Sequence, residues 1–231
     1  MARTLHILSG GAAQGLVAQL QPAFESQHGC RIEGTFGAVG LMKDKLLGGA
    51  PCDLLILSEA LIRDLVGQGR AEGTSMRAVG LVKTGVALKN GRPEVALKSE
   101  SDLKALLQFA PAIYFPDPNK ATAGIHFLKV LQALGLADQP EKLRTYPNGA
   151  AAMAALAQAA EPDAVGCTQV TEILFTKGVQ LTGLLPAPHE LTTTYMAAVT
   201  ATAKEPELAR ALMDALTAAS AEQVRQECGF E

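Results

Sequence analysis

The 231-residue chain has no cluster of Lys or Arg, no long apolar run and no paired cysteine motif, and each absence removes a class of function. Its 20 Lys+Arg and 23 Asp+Glu leave a formal charge of −3. With no basic face to displace counterions, neither a nucleic-acid partner nor a membrane-surface role is expected. The longest Ala-rich stretch, Ala150 to Ala160, is broken by Gln158 and falls short of the roughly 20 residues that a bilayer span requires. Cys30, Cys52, Cys167 and Cys228 are irregularly spaced, so they read as reduced, mostly buried small hydrophobes rather than zinc or dithiol groups. No metal and no cofactor is expected. The patterns G-x-S-x-G, H-E-x-x-H and Walker A are missing, which leaves acyl transfer, zinc hydrolysis and nucleotide hydrolysis without local support. No basic-then-apolar leader precedes the first strand candidate at Leu5, so the chain as it stands is expected in the cytoplasm, or in the periplasm if a leader has been removed.

What is present is an ordinary globular composition, 48% hydrophobic, long enough for one large domain or two modest ones. Short apolar runs alternate with helical periodicity, the pattern of an α/β fold. Leu5 to Leu8 reads as a strand, Ser9-Gly10-Gly11 as a turn, and Leu16, Leu20 and Phe24 as one helical face that ends at a left-handed Gly29. Pro22 is expected to bend or break that helix. The unit recurs as a strand from Arg31 to Phe36, a turn at Gly37 to Gly40 and a helix from Leu41 to Leu47. Asp53 to Leu57 follows as a buried strand, with Ser58 as the N-cap of the next helix. Further strands are read at Leu81 to Lys89, Ile113 to Phe115, Ala164 to Thr168 and Thr192 to Thr200. Helices are expected from about Ser101, Thr122, Gly149 and Pro206. Two extended crossings flank a middle segment, which predicts an inserted second lobe: residues 1–82 with 197–231 as lobe 1, and 83–196 as lobe 2.

Four turns rich in Gly or Ala open helices: Gly10-Gly11-Ala12, Gly37-Ala38-Val39-Gly40, Thr122-Ala123-Gly124 and Asn148-Gly149-Ala150. Small residues let a ligand approach the unpaired N–H groups of a first helical turn, where the dipole favours an anion. Any one such turn is explained by the steric need for glycine alone. Two turns in each lobe point instead to a shared cleft that holds an anion beyond the strand ends.

The order and context of these turns carry a resemblance. GAPCDLLIL, TAGIHFLKVLQALG and the closing ECGF, with the whole of residues 5 to 57, resemble the periplasmic molybdate-binding proteins of ABC importers. The resemblance implies a two-lobed type II periplasmic-binding fold, with mixed sheets flanked by helices and two hinge crossings. It also implies a small anion as ligand and, for an exported chain, an ABC transporter as partner. The family holds its anion with backbone amides and three side-chain hydroxyls; Ala12, Val39 and Gln169 stand at those three positions here. Losing charge-assisted bonds of about 1.5–3 kcal/mol each disfavours molybdate. The room left by small residues suits a small carboxylate with more than one acidic group.

The expected ligand contacts are Ser9, Gly10, Gly11, Ala12, Ala38, Val39, Gly40, Thr122, Ala123, Gly124, Asn148, Gly149, Thr168 and Gln169. Ser9, Thr168 and Thr171 are candidate replacement hydroxyls, and the amide of Gln169 suits a carboxyl group. Asn148 reads more readily as a helix cap. Apart from Lys120, the turns hold no basic residue, so amides and dipoles must neutralise the ligand.

Enzymatic activity is left open. An isomerase of an unsaturated polycarboxylate, similar to aconitate isomerase, would need a group that removes and returns a carbon-bound proton. His126 and Asp117 are weak candidates, although a lone His on an apolar helix more often packs and Asp before Pro more often forms a turn. Glu172, Tyr146 and Tyr195 are weaker still. A cytoplasmic ligand sensor is a third reading.

Overall fold

The computed structural model describes residues 3–231. The elements in chain order are β1 (Arg3–Gly10), α1 (Gln14–His28), β2 (Cys30–Gly37), α2 (Val39–Leu47), β3 (Leu54–Ser58), α3 (Glu59–Gly67) and β4 (Arg77–Lys89). Then come α4 (Glu100–Phe109), β5 (Ile113–Pro116), α5 (Thr122–Ala133), β6 (Leu143–Tyr146), α6 (Gly149–Ala157), β7 (Val165–Gln169) and α7 (Val170–Phe175). The chain closes with β8 (Val179–Leu184), β9 (Thr192–Val199), α8 (Pro206–Thr217) and α9 (Glu222–Glu227). It divides into two compact units, Met1–Val82 with Thr193–Glu231, and Lys83–Thr192.

In the first unit β1 pairs in parallel with both β2 and β3, and β3 pairs antiparallel with β9. The apolar residues read from the sequence form its core: Leu5, Leu16, Leu54 to Leu57, Ala197, Leu208 and Leu212 are all essentially inaccessible. Gly29 ends α1 at φ 58°, as the sequence predicts. One buried charge organises this unit. Asp53 is 2% exposed and accepts from the His6 amide at 2.8 Å, the Lys204 amide at 2.6 Å and the Glu205 amide at 3.1 Å. A single carboxylate thus joins β1 to the start of α8, and the amides repay its burial. The closing segment is tied to β4 by reciprocal backbone bonds between Leu81 and Glu231.

In the second unit the strands lie in the order β8-β4-β7-β5-β6, with β4 antiparallel to β7 and β8, and β5 parallel to β6 and β7. Both faces of this sheet are covered. Val86, Ile113, Phe115, Val165 and Cys167 belong to one apolar cluster and the intervening Ala87 and Tyr114 to another, which is the period of two expected of strands buried on both sides. Helix α5 lies tightly on this sheet at Gly124, where an added Cβ would overlap the carbonyl oxygens of Pro116 and Asp117.

Several local expectations are corrected. Pro22 lies inside α1 without ending it. It is exposed, as is Ala18 one turn earlier, so the carbonyl that loses its partner faces water. Ser58 takes the N-cap position of α3 without a side-chain bond. Helix α2 starts at Val39 rather than Leu41. Elements β6, β8 and α7 have no counterpart in the sequence reading. LRTY and VQLTGL are only part-buried and lack clean alternation, and VTEILF is too short to show a helical period. All four cysteines are free and buried.

Gly124→Ala is expected to cost about 2–3 kcal/mol through overpacking against fixed backbone, lowering Tm by roughly 5–10 °C in thermal denaturation. An unchanged Tm would contradict the close approach of α5 to the end of β5.

Candidate functional site

In the first unit, β1 ends at Ser9 and Gly10, and a tight turn over Gly11–Ala13 leads into α1. Neither Gly10 nor Ala13, nor Ala38 before α2, offers a capping side chain. Their first N–H groups are the orphan donors of a helix terminus. Ser9 is fully buried and its hydroxyl donates to the Gly10 carbonyl at 2.9 Å, so the replacement donor expected there bonds its own backbone. Ala12, Ala38 and Val39 are buried, and Gly11 and Gly40 are partly exposed.

The structure brings Gly10, Val39 and Tyr195 together. A Cβ on Gly10 would lie 2.8 Å from both Val39 Cγ1 and Tyr195 Cε1, so glycine is needed for the phenol ring to lie across the turn. Tyr195 is 3% exposed and packs edge-on to Phe230 at 6.3 Å. The sequence reading weighed Tyr195 only as a weak base, although it is the aromatic neighbour of the first turn.

In the second unit the third turn is a helix start with Ala121 as an N-cap that has no side-chain bond. Thr122 is partly exposed and Ala123 buried, while Lys120 is exposed. Gly124 is explained by its packing on the end of β5. The two weak acid–base candidates are both engaged. His126 Nε2 lies 2.9 Å from the His189 carbonyl, and His189 Nε2 in turn lies 2.9 Å from Glu100 Oε2. Asp117 Oδ1 accepts from the Asn119 amide at 2.7 Å, the turn that Asp before Pro favours.

The fourth turn is filled from within. Asn148 caps α6 by accepting from the Ala151 amide at 2.8 Å. The carboxylate of Glu172 accepts from the amides of Gly149, Ala150 and Gln169, and from the Thr168 hydroxyl at 2.5 Å. Gly149 is required because any Cβ there would take the place of a Glu172 oxygen. In this structure the donors and acceptors of Asn148, Gly149 and Thr168 serve the cap, as read for Asn148, and Glu172. A carboxylate four residues after Thr168 in the first turn of α7 was the available signal, and it was read only as a weak base. Gln169 is 3% exposed and ends β7.

Burial raises the Glu172 pKa above its ordinary 4.5, outweighing the four hydrogen bonds that pull it down. A cavity of about 470 Å³ elsewhere in the second unit is lined by Val95, Ala96, Asp102, Ala105, Leu106, Phe109, Ala110 and Asp163, and none of these belongs to the turns. Among the described residues no cluster of His, Cys, Asp or Glu is arranged to hold a metal.

The sequence profile of the bacterial extracellular solute-binding proteins matches residues 5–231. Aconitate isomerase from a Pseudomonas species is 23% identical over 235 residues, covering 99% of this chain and 87% of that enzyme. The periplasmic molybdate-binding protein of Azotobacter vinelandii superposes with a TM-score of 0.80 at 21% identity over 98% of each chain. The sulfate-binding protein of Mycobacterium tuberculosis superposes at 0.77 with 19% identity, over 99% of this chain and 86% of that one. These structural likenesses establish the fold.

Because burial raises the Glu172 pKa, the folded chain holds this proton to higher pH than an unfolded carboxyl does. The stability this group contributes is therefore full below its ordinary 4.5 and is lost as pH rises through the raised value. Glu172→Gln has no such proton. Its Tm relative to the parent is expected to improve as pH rises above 4.5 and to level off once the parent's carboxyl is ionised, and a difference independent of pH would contradict this.

Proposed function

The chain belongs to the bacterial extracellular solute-binding proteins, and on that premise we propose that it binds a small organic anion with more than one carboxyl group rather than molybdate. The observation that carries this reading is the contrast between helix starts. The N-cap residues of α1, α2 and α5, like those of α3 and α7, make no side-chain cap bond, whereas α4 and α6 are capped by Ser99 and Asn148. Uncapped amides at the ends of strands are where an anionic oxygen is most favoured. A carboxylate is favoured over a tetrahedral oxyanion because Ala12 and Val39 have no hydroxyl and Ser9 uses its own on Gly10. The fourth turn already shows that this geometry accepts a carboxylate, since Glu172 sits in it. Two solved relatives of the fold are described as molybdate- and sulfate-binding, which supports the anion without naming it. In an exported chain the partner is an ABC importer that receives the anion.

A second reading is favoured by the match to aconitate isomerase along nearly the whole chain. It makes the protein an isomerase of an unsaturated polycarboxylate. The engagement of His126 with His189 and of Asp117 with Asn119 leaves the base for that reaction to another group.

Thermal-shift and calorimetric titrations with molybdate, tungstate, sulfate, citrate, cis-aconitate and trans-aconitate separate these outcomes. An organic acid at 100 times its Kd is expected to stabilise by about 2.7 kcal/mol, a rise in Tm of roughly 5–10 °C. A response to molybdate or tungstate alone would overturn the carboxylate assignment. In deuterated water, proton NMR of cis- and trans-aconitate incubated with the protein is expected to remain unchanged for a receptor. Interconversion or loss of the vinyl or methylene signal would establish the isomerase instead.

A further inference from the structure

Two hydroxyls in the second unit have no hydrogen-bond partner among the described residues, although both are buried: Thr84 Oγ1 and Thr171 Oγ1. Thr84 is 1% exposed and Thr171 is 4% exposed. A buried hydroxyl that makes no bond carries its full desolvation cost, so native proteins rarely keep one without a group from outside the chain to satisfy it.

These two are not scattered. Thr84 stands opposite Gln169 in the antiparallel pairing of β4 with β7, and Thr171 follows Gln169 by two residues. In antiparallel strands directly opposed residues share one face, so the side chains of Thr84 and Gln169 lie side by side. On the neighbouring pair the register places Gly85 opposite Thr168, whose hydroxyl is engaged with Glu172. The end of β7 therefore holds two kinds of polar atom: Thr168 bonds the internal carboxylate, whereas Thr84, opposite Gln169, and Thr171, two residues beyond it, retain unused donors.

Resting on the anion-binding reading above, we propose that Thr84 and Thr171 are ligand contacts that select the anion, each donating its hydroxyl hydrogen to an acceptor oxygen of the bound molecule beside Gln169. Neutral hydroxyl and amide donors at this position suit carboxylate oxygens spaced along an organic acid. Nothing cationic is required of them, which agrees with the absence of Lys and Arg from the end of β7, Val165–Gln169. Thr84 is a polar residue inside the apolar strand LVKTGVALK, a placement that costs stability unless a partner arrives.

The test uses the near-isosteric variants Thr84→Val and Thr171→Val, with Thr84→Ser and Thr171→Ser as hydroxyl-retaining controls. Each is measured for unliganded Tm and for the Kd of trans-aconitate, citrate and molybdate by calorimetry. The valine variants are expected to be as stable as the parent or more stable without ligand, because each deletes an unsatisfied hydroxyl. They are expected to weaken binding of the preferred acid by roughly tenfold each, and the serine variants to keep most of the affinity. This opposite movement of stability and affinity is not produced by a structural hydroxyl. Valine variants that bind as the parent does overturn the inference and leave the anion-binding reading intact. Valine variants that lose Tm without ligand also overturn it, since the hydroxyls would then be satisfied within the chain. A parent protein that binds none of the three anions overturns the underlying reading and the inference with it.

Discussion

A helix that begins at the end of a buried strand carries N–H groups that must find an oxygen, and the structure is largely an account of how each set does so. Just before α8 the carboxylate of Asp53 takes the amides of Lys204 and Glu205 as well as that of His6, and so joins strand to helix. At α4 the oxygen is the Ser99 hydroxyl, at 3.2 Å from the Asp102 amide. At α6 it is both the Asn148 side chain and the carboxylate of Glu172, which comes from α7. The N-cap residues of α1, α2 and α5 supply no such side chain. The same requirement that gives the fold its internal ties is what the proposed binding of an anion at those starts rests on.

Glu172 changes what the second unit can contribute. With Gly149, Ala150, Gln169 and Thr168 all directed at it, the most anion-adapted turn by sequence is closed to an external ligand in this arrangement. On the proposed reading, selectivity then passes to weaker, neutral donors. Such groups distinguish ligands by the spacing of their oxygens more than by charge, because a hydroxyl or amide misplaced by an ångström loses its bond while a cation keeps most of its attraction. In the first unit Tyr195 crosses Gly10 closely enough that any side chain at that position would meet the ring.

Much of the fold was legible. The strand from Leu5, the left-handed Gly29, the buried run Leu54 to Leu57 and the face Leu16, Leu20 and Phe24 are each specified by local pattern, and each packs as it reads. The resemblance carried by GAPCDLLIL and TAGIHFLKVLQALG was also legible, because glycine and alanine at fixed places near strand ends reflect backbone geometry that few other residues allow. Short elements such as β6 and α7 were not, since four to six residues are too few to display a period. The persistence of α1 through Pro22 was hidden as well, because whether a lost hydrogen bond matters depends on whether water can reach the orphaned carbonyl.

By itself, then, the chain determined an α/β architecture of this family, cores without staples, and helix starts built of small residues, because each of these follows from local pattern and backbone sterics. Which starts are satisfied from within was decided only by tertiary structure. Gly149 and Glu172 are 23 positions apart in the sequence, and Gly10 and Tyr195 are separated by most of the chain. A hydrogen bond or a steric contact depends on distance in space, and no local pattern records which distant carboxylate or ring the folded sheet will bring to a given turn.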